Sequence, residues 1–280
     1  MGRIRRGWAL SKQSWEVLKK DRSLVFFPIL STLFAALATI AIWAPTLLVR
    51  GVFQGHQVDN QDPVYYLAGA ATAYASTFIA IFFNVALAAC AVRSMRGEDT
   101  RVAEGINAAA RRIVPILGWT LVATTVGLLL KAVEERLPNL GKLVADLIGA
   151  AWAVATFFVI PAIALEGTGP FQSLRRSVDT IKARWGESAA GAATIGVVTF
   201  LLALVVVVGG VVGGFALIAA RLAPLGLAVL AATFAFAVVI SFVSTALSQI
   251  FRVAVYQFAV TGETVGGFDP RLLQAAFVAR

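Results

Sequence analysis

Six stretches of this chain are almost free of charge, and most are longer than an ordinary buried helix. Residues 24–49, 64–92, 113–130, 188–220 and 225–251 contain no Asp, Glu, Lys or Arg, and 143–165 contains only Asp146. Crossing a bilayer core about 30 Å thick takes roughly 20 apolar residues of helix. Lipid offers backbone N–H and C=O groups no partner, so a spanning segment must close its hydrogen bonds as a helix or within a closed barrel. A barrel would show segments of about ten residues alternating polar and apolar, and that alternation is missing. The runs therefore predict an all-α polytopic membrane bundle of six transmembrane helices. It is read as a single membrane domain over residues 1–280.

Charge sets the expected orientation. The net charge is +9, but its carriers sit beside apolar spans, which points to topology and anionic lipid and away from nucleic acid. The segments before span 1, between spans 2 and 3, between spans 4 and 5, and after span 6 hold 19 Lys and Arg, whereas the alternate loops hold 5. By the positive-inside rule both termini are predicted to be cytoplasmic. Trp43, Tyr65 and Tyr66 then fall at the outer interface. The first run, at 26 residues, exceeds a signal-peptide core of about 7–15 and reads as a retained span. Arg outnumbers Lys by 18 to 6 in a chain rich in Ala, Gly and Val. That bias points to a GC-rich bacterial source and so to the bacterial cytoplasmic (inner) membrane.

Amphipathic helices are expected before spans 1, 3 and 5. Ile4, Trp8, Ser11, Trp15 and Leu18 fall on one helical face, flanked by Arg5, Lys12 and Lys19. Phe171, Leu174, Val178, Ile181 and Trp185 form a second stripe, and 102–113 carries a weaker one. Such helices lie in the interface with aromatic residues toward the acyl chains, so Trp8, Trp15, Phe171 and Trp185 are predicted membrane-interface residues. Setting Trp8 against Phe171 aligns Ser14-Trp15-Glu16-Val17-Leu18-Lys19 with Ser177-Val178-Asp179-Thr180-Ile181-Lys182. The match suggests a unit of one interfacial helix and one two-span hairpin, repeated over 1–96, 97–166 and 167–261, with a cytoplasmic tail 262–280. Common physics can also produce such patterns without duplication.

The polar residues within the runs suggest packing before chemistry. Asn84 shares a face with Ala73, Ser76, Ala80, Ala88 and Ala91, a small-residue stripe that lets helices approach and an amide find a partner. Gly209, Gly210, Gly213 and Gly214 form two overlapping Gly-x-x-x-Gly pairs, a close-packing device or, more sharply, a hinge. Ser241, Ser244, Thr245, Ser248 and Arg252 recur at helical spacing, a face expected to avoid lipid and to pack inward or line a wet cavity. Arg252 is expected to reach the cytoplasmic interface, and Pro161 is expected to kink span 4. Asp146 and Glu166, near the two ends of that span, are within reach of headgroups or water. One His and one Cys in the chain exclude a conventional zinc site or a Cys–His pair. No serine-hydrolase or metalloprotease motif is present, so no catalytic residue, metal ligand or cofactor is assigned.

Gly7-Trp8, Ser14-Trp15, Val17-Leu18-Lys19, Asp21, Phe26-Phe27-Pro28 and the tail Gly266-Gly267-Phe268-Asp269-Pro270 with Ala276-Phe277 carry a resemblance. The chain resembles the bacterial membrane family called Domain of Unknown Function 6159. It also looks like the membrane domains attached to some glycerophosphodiesterases, without their catalytic domain. The first resemblance implies six spans and transfers no activity. The expected function is a non-enzymatic scaffold or accessory membrane subunit, whose partners are the bilayer, anionic lipids, and other membrane proteins or a second copy. The alternatives are a small-solute transporter or channel with its path beside span 6, and a lipid-handling enzyme.

Overall fold

The computed structural model describes residues 3–51, 62–136, 141–185, 204 and 206–268. Among these residues there are helices and no strands. In chain order they are α1 (Arg3–Lys20), α2 (Phe26–Val49), α3 (Pro63–Met95), α4 (Val102–Ala110), α5 (Ile113–Arg136), α6 (Gly141–Ala155), α7 (Val159–Glu166), α8 (Pro170–Trp185), α9 (Val206–Ala219) and α10 (Ala223–Thr261). Five are long and apolar enough to cross a membrane, counting α6 and α7 as one. The short apolar helix α9 lies where the fifth expected span ends, and residues 188–203 of that span fall outside the described set. The fold is a polytopic helical membrane bundle.

The bundle is organised around α3. Its second half is almost wholly buried, with Val85, Ala86, Leu87, Ala88 and Ala91 inaccessible, and it packs against α2, α4, α5, α7 and α10. The outer surfaces are apolar instead: Leu37, Ile40, Leu67, Val114, Leu129 and Phe234 are all exposed. Exposed apolar side chains on that scale mark contact with lipid. At one end the hairpin of α2 and α3 is closed by Asp62, which accepts from Val64 N at 3.0 Å ahead of Pro63 and pairs with Arg50 at 2.8 Å. Trp43 stacks on Tyr65 at the same end, with ring centroids 6.3 Å apart.

The opposite end carries the three amphipathic helices. Helix α4 packs on α3, α8 on α7, and α1 on α10. Gly105 is why α4 sits so close: a Cβ there would come within 2.6 Å of Phe27, 2.8 Å of Cys90 Sγ and 2.9 Å of the Ala86 carbonyl. The stripes expected to meet lipid do only part of that work. Trp15 is 40% and Phe171 73% exposed, consistent with an apolar surround, but the buried faces are Ser14, Val17 and Leu18 on α1 and Ser173 and Ser177 on α8. Helix α8 docks through hydroxylated residues, whereas α1 adds Val17 and Leu18 to Ser14.

The expected kink in the fourth span is a break. Helix α6 stops at Ala155 and α7 starts at Val159. Pro161 has no N–H to offer the Phe157 carbonyl one turn earlier, and its ring crowds that carbonyl. The Phe158 N–H, displaced from the helical ladder, donates to Ser177 Oγ of α8 at 3.0 Å in a fully buried setting. A neighbouring side chain thus satisfies the freed backbone group, as lipid cannot.

Candidate functional site

The long helices determine where polar chemistry can gather. At 1.5 Å per residue, α10 with its 39 residues is about 58 Å long and α3 with its 33 about 50 Å. Both outrun a bilayer core of about 30 Å. Their C-terminal ends lie beside the end of α7, on the side of the bundle that carries the amphipathic helices. A cavity of about 440 Å³ opens between these three ends, lined by Arg93 and Arg96 of α3, Leu165 and Glu166 of α7, and Tyr256, Gln257, Val260 and Thr261 of α10, among others.

Glu166 holds three helices together at this cavity. Its Oε1 accepts from Tyr256 Oη of α10 at 2.5 Å and from Arg176 Nε of α8 at 3.3 Å. The Tyr256 hydroxyl and the Glu166 carboxylate raise the pKa of Arg176. Helix α7 ends here because Gly167 adopts the left-handed conformation at φ 67° and its N–H returns to Ile163 O. A side chain at 167 would also collide with the Arg112 guanidinium. Arg93 forms a second tie, reaching Glu98 through Nε at 2.8 Å and Glu104 of α4 through Nη1 at 2.5 Å. Asp21 forms a third. It accepts from Ser23 N at 3.0 Å to cap the 3-10 turn Arg22–Val25, and Thr100 Oγ1 donates to its other oxygen. The tail closes over the same end, with Phe268 buried and Gly266 against Met95.

The residues singled out in the sequence are scattered over the molecule. Asn84 is half-buried on α3, and its carbonyl accepts from Gln249 Nε2 at 3.4 Å. Gln249 is 3% exposed, and its Oε1 has no partner among the described residues. The two glycine pairs separate: Gly214 lies against Leu230 and Gly226, and Gly210 against Thr233, whereas nothing lies within 4 Å of the Cβ positions of Gly209 and Gly213. Gly210 and Gly214 thus let α9 approach α10.

The polar face of α10 is a correction. Ser241, Thr245 and Ser248 are exposed and Ser244 is half-buried, while Ala246, Gln249, Ile250 and Val253 turn inward. Thr245 bonds back to Ser241 O at 2.8 Å, which makes lipid exposure of a hydroxyl cheap. Arg252 is half-buried, with its guanidinium 4.9 Å above the Phe157 ring at the helix break, a cation–π contact. Trp8 and Trp185 belong to α1 and α8, but their side chains fall outside the described set. Sequence reasoning placed Glu166 near headgroups but missed Tyr256 and Arg176 as its partners, and Ser177 as the acceptor for the Phe158 N–H. The only advance signal was the register that pairs Ser177 with Ser14. Among the described residues no group of three or more His, Cys, Asp or Glu side chains could hold a metal ion.

Fold and site together define a multi-span helical membrane protein whose polar groups concentrate at one basic end. The chain belongs to a family of unknown function (DUF6159), whose model matches residues 64–267. The Gly7-Trp8 and Ser14-Trp15 motifs precede the matched stretch. No curated protein and no solved structure matches the chain.

Proposed function

We propose that this protein is a non-enzymatic scaffold or accessory subunit of the bacterial cytoplasmic membrane, with both termini in the cytoplasm. The observation that carries the reading is how the polar groups of the basic end are used. Asp21, Arg93 and Glu166 each tie one of the linkers or amphipathic helices to the bundle. Such ties build a rigid, basic surface beside the membrane. Threonine hydroxyls elsewhere return to their own helices, as at Thr39, Thr72, Thr120 and Thr233. A solute path beside α10 gains nothing from this geometry, since Ser241 and Ser248 face outward.

A second reading, a lipid-handling enzyme, draws on one observation: Glu166, Tyr256 and Arg176 converge beside a cavity at the basic end of the bundle. Proteoliposomes separate the two. Wild-type protein incubated with defined phospholipids and followed by mass spectrometry is expected to leave every lipid species unchanged. Conversion of a headgroup or acyl chain that disappears in Glu166→Gln would replace the scaffold reading with the enzymatic one.

A further inference from the structure

We propose that the cavity between the inner ends of α3, α7 and α10 binds the phosphate of a membrane phospholipid, with Arg96 as its principal ligand. The cavity has the size of a small-molecule site, which typically runs to about 300–1,000 Å³. On α3 the apolar Ala89 and Val92 precede Arg93 and Arg96, and on α7 Ala164 and Leu165 precede Glu166, so these two walls offer a floor for glycerol and the first acyl carbons. Arg96 lies farther out at the end of α3, and α10 contributes Gln257, with Val260 and Thr261 about one turn beyond it.

The charges at the mouth are not equivalent. Arg93 is already forked between Glu98 and Glu104, and Glu166 is engaged by Tyr256 and Arg176. Thr261 is also engaged, its hydroxyl donating to Gln257 O and accepting from Glu263 N. Arg96 closes the last turn of α3 through its backbone N–H, and among the described residues its guanidinium has no carboxylate partner. Gln257 is half-buried, and among the described residues its side-chain amide makes no hydrogen bond. A free guanidinium and a free amide beside the apolar walls of α3 and α7 match a phosphodiester whose chains lie against those walls. The planar fork of Arg is suited to phosphate oxygens. Carboxylates on both sides of the mouth would disfavour a ligand of high charge density, which points to a monoanionic phosphodiester in preference to a free phosphate dianion. The site does not depend on the scaffold reading.

Native mass spectrometry of the full-length protein, delipidated in mild detergent and titrated with phosphatidylglycerol, tests the assignment. Wild type is expected to retain one lipid preferentially. Arg96→Gln should weaken retention about ten-fold, as expected for losing a charge-assisted contact of about 1.4 kcal/mol. Val260→Trp, which fills the cavity without changing charge, should weaken it comparably. Arg111→Gln removes the same charge from an exposed position on the same end and should leave retention within about two-fold of wild type. Equal losses in Arg96→Gln and Arg111→Gln would mean diffuse attraction to the basic surface and overturn the site. Unchanged retention in Val260→Trp would remove the cavity from it. Displacement of the lipid by millimolar inorganic phosphate would show a free-anion site and overturn the lipid assignment.

Discussion

Replacing Ser177 with Ala removes the acceptor that serves the Phe158 N–H at the break between α6 and α7. Both groups are fully buried and the bond is 3.0 Å long. An orphaned buried donor costs about 1–3 kcal/mol in soluble proteins. Interhelical hydrogen bonds in membranes average about 0.6 and reach about 1.7 kcal/mol, because the unfolded chain in lipid also finds partners. The Phe158 N–H has no ladder position to return to while Pro161 holds the break, so we expect a loss in the upper part of that range, about 1–1.5 kcal/mol. Equilibrium unfolding in mixed micelles measures it. Intrinsic fluorescence is a suitable signal, because Trp152 stacks on Trp119 at 5.7 Å one turn before the break. Thr180→Ala is the control: that hydroxyl bonds back to Arg176 O at 2.7 Å within its own helix, and its loss should stay under about 0.3 kcal/mol. In a Pro161→Ala background the ladder can re-form across 156–158. There the Ser177→Ala penalty should shrink by at least about 0.5 kcal/mol. Equal effects of Ser177→Ala and Thr180→Ala, or a Ser177→Ala penalty unchanged by Pro161→Ala, would refute the account.

Other consequences are as direct. Gly105→Ala forces α4 away from α3, because the Ala86 carbonyl 2.9 Å from the new Cβ is backbone and cannot turn aside. We expect a loss of about 1–3 kcal/mol, against a neutral or slightly stabilising Gly127→Ala, where nothing lies within 4 Å. Asp21→Ala removes both the cap on Ser23 N and the tie to Thr100, and should lower stability by about 1–2 kcal/mol in the same unfolding assay. Reporter fusions at Met1 and Arg280 should both read cytoplasmic, and a periplasmic signal at either would overturn the topology. Cysteines placed at 241, 245 and 248 in a Cys90→Ala background should resist water-soluble thiol reagents and be quenched by lipid-borne labels. Aqueous labelling at 241 would revive a path beside α10.

The spans were legible in the sequence because lipid imposes a one-dimensional rule: a long uncharged run must be a helix, whatever surrounds it. The break was half legible for the same reason. Pro161 announces a missing hydrogen bond at its own position, but the group that takes the freed donor is Ser177 on another helix, and nothing local to Pro161 names it. Glu166 and Tyr256 lie 90 residues apart, and either alone reads as a polar residue near a span end. Their meeting depends on how α7 and α10 are set against each other in the bundle, which hydropathy does not encode.

The amphipathic helices were legible on one face only. Periodicity ranks faces by apolarity, so it selected the stripes containing Trp15 and Phe171, and both are exposed. Close docking between helices also selects small side chains that can hydrogen-bond, and it buried Ser14 on α1, beside Val17 and Leu18, and Ser173 and Ser177 on α8. The register that aligned α1 with α8 had paired Ser14 with Ser177, so the informative feature of that alignment was the docking serine and not the aromatic stripe. In α8 the serine has a structural duty, since it completes the hydrogen bonding of a broken span. That duty fixes α8 against α6 and α7, and with it Arg176 against Glu166. The basic end is therefore assembled by the amphipathic helices as parts of the bundle, and removing α8 would leave the buried Phe158 donor behind.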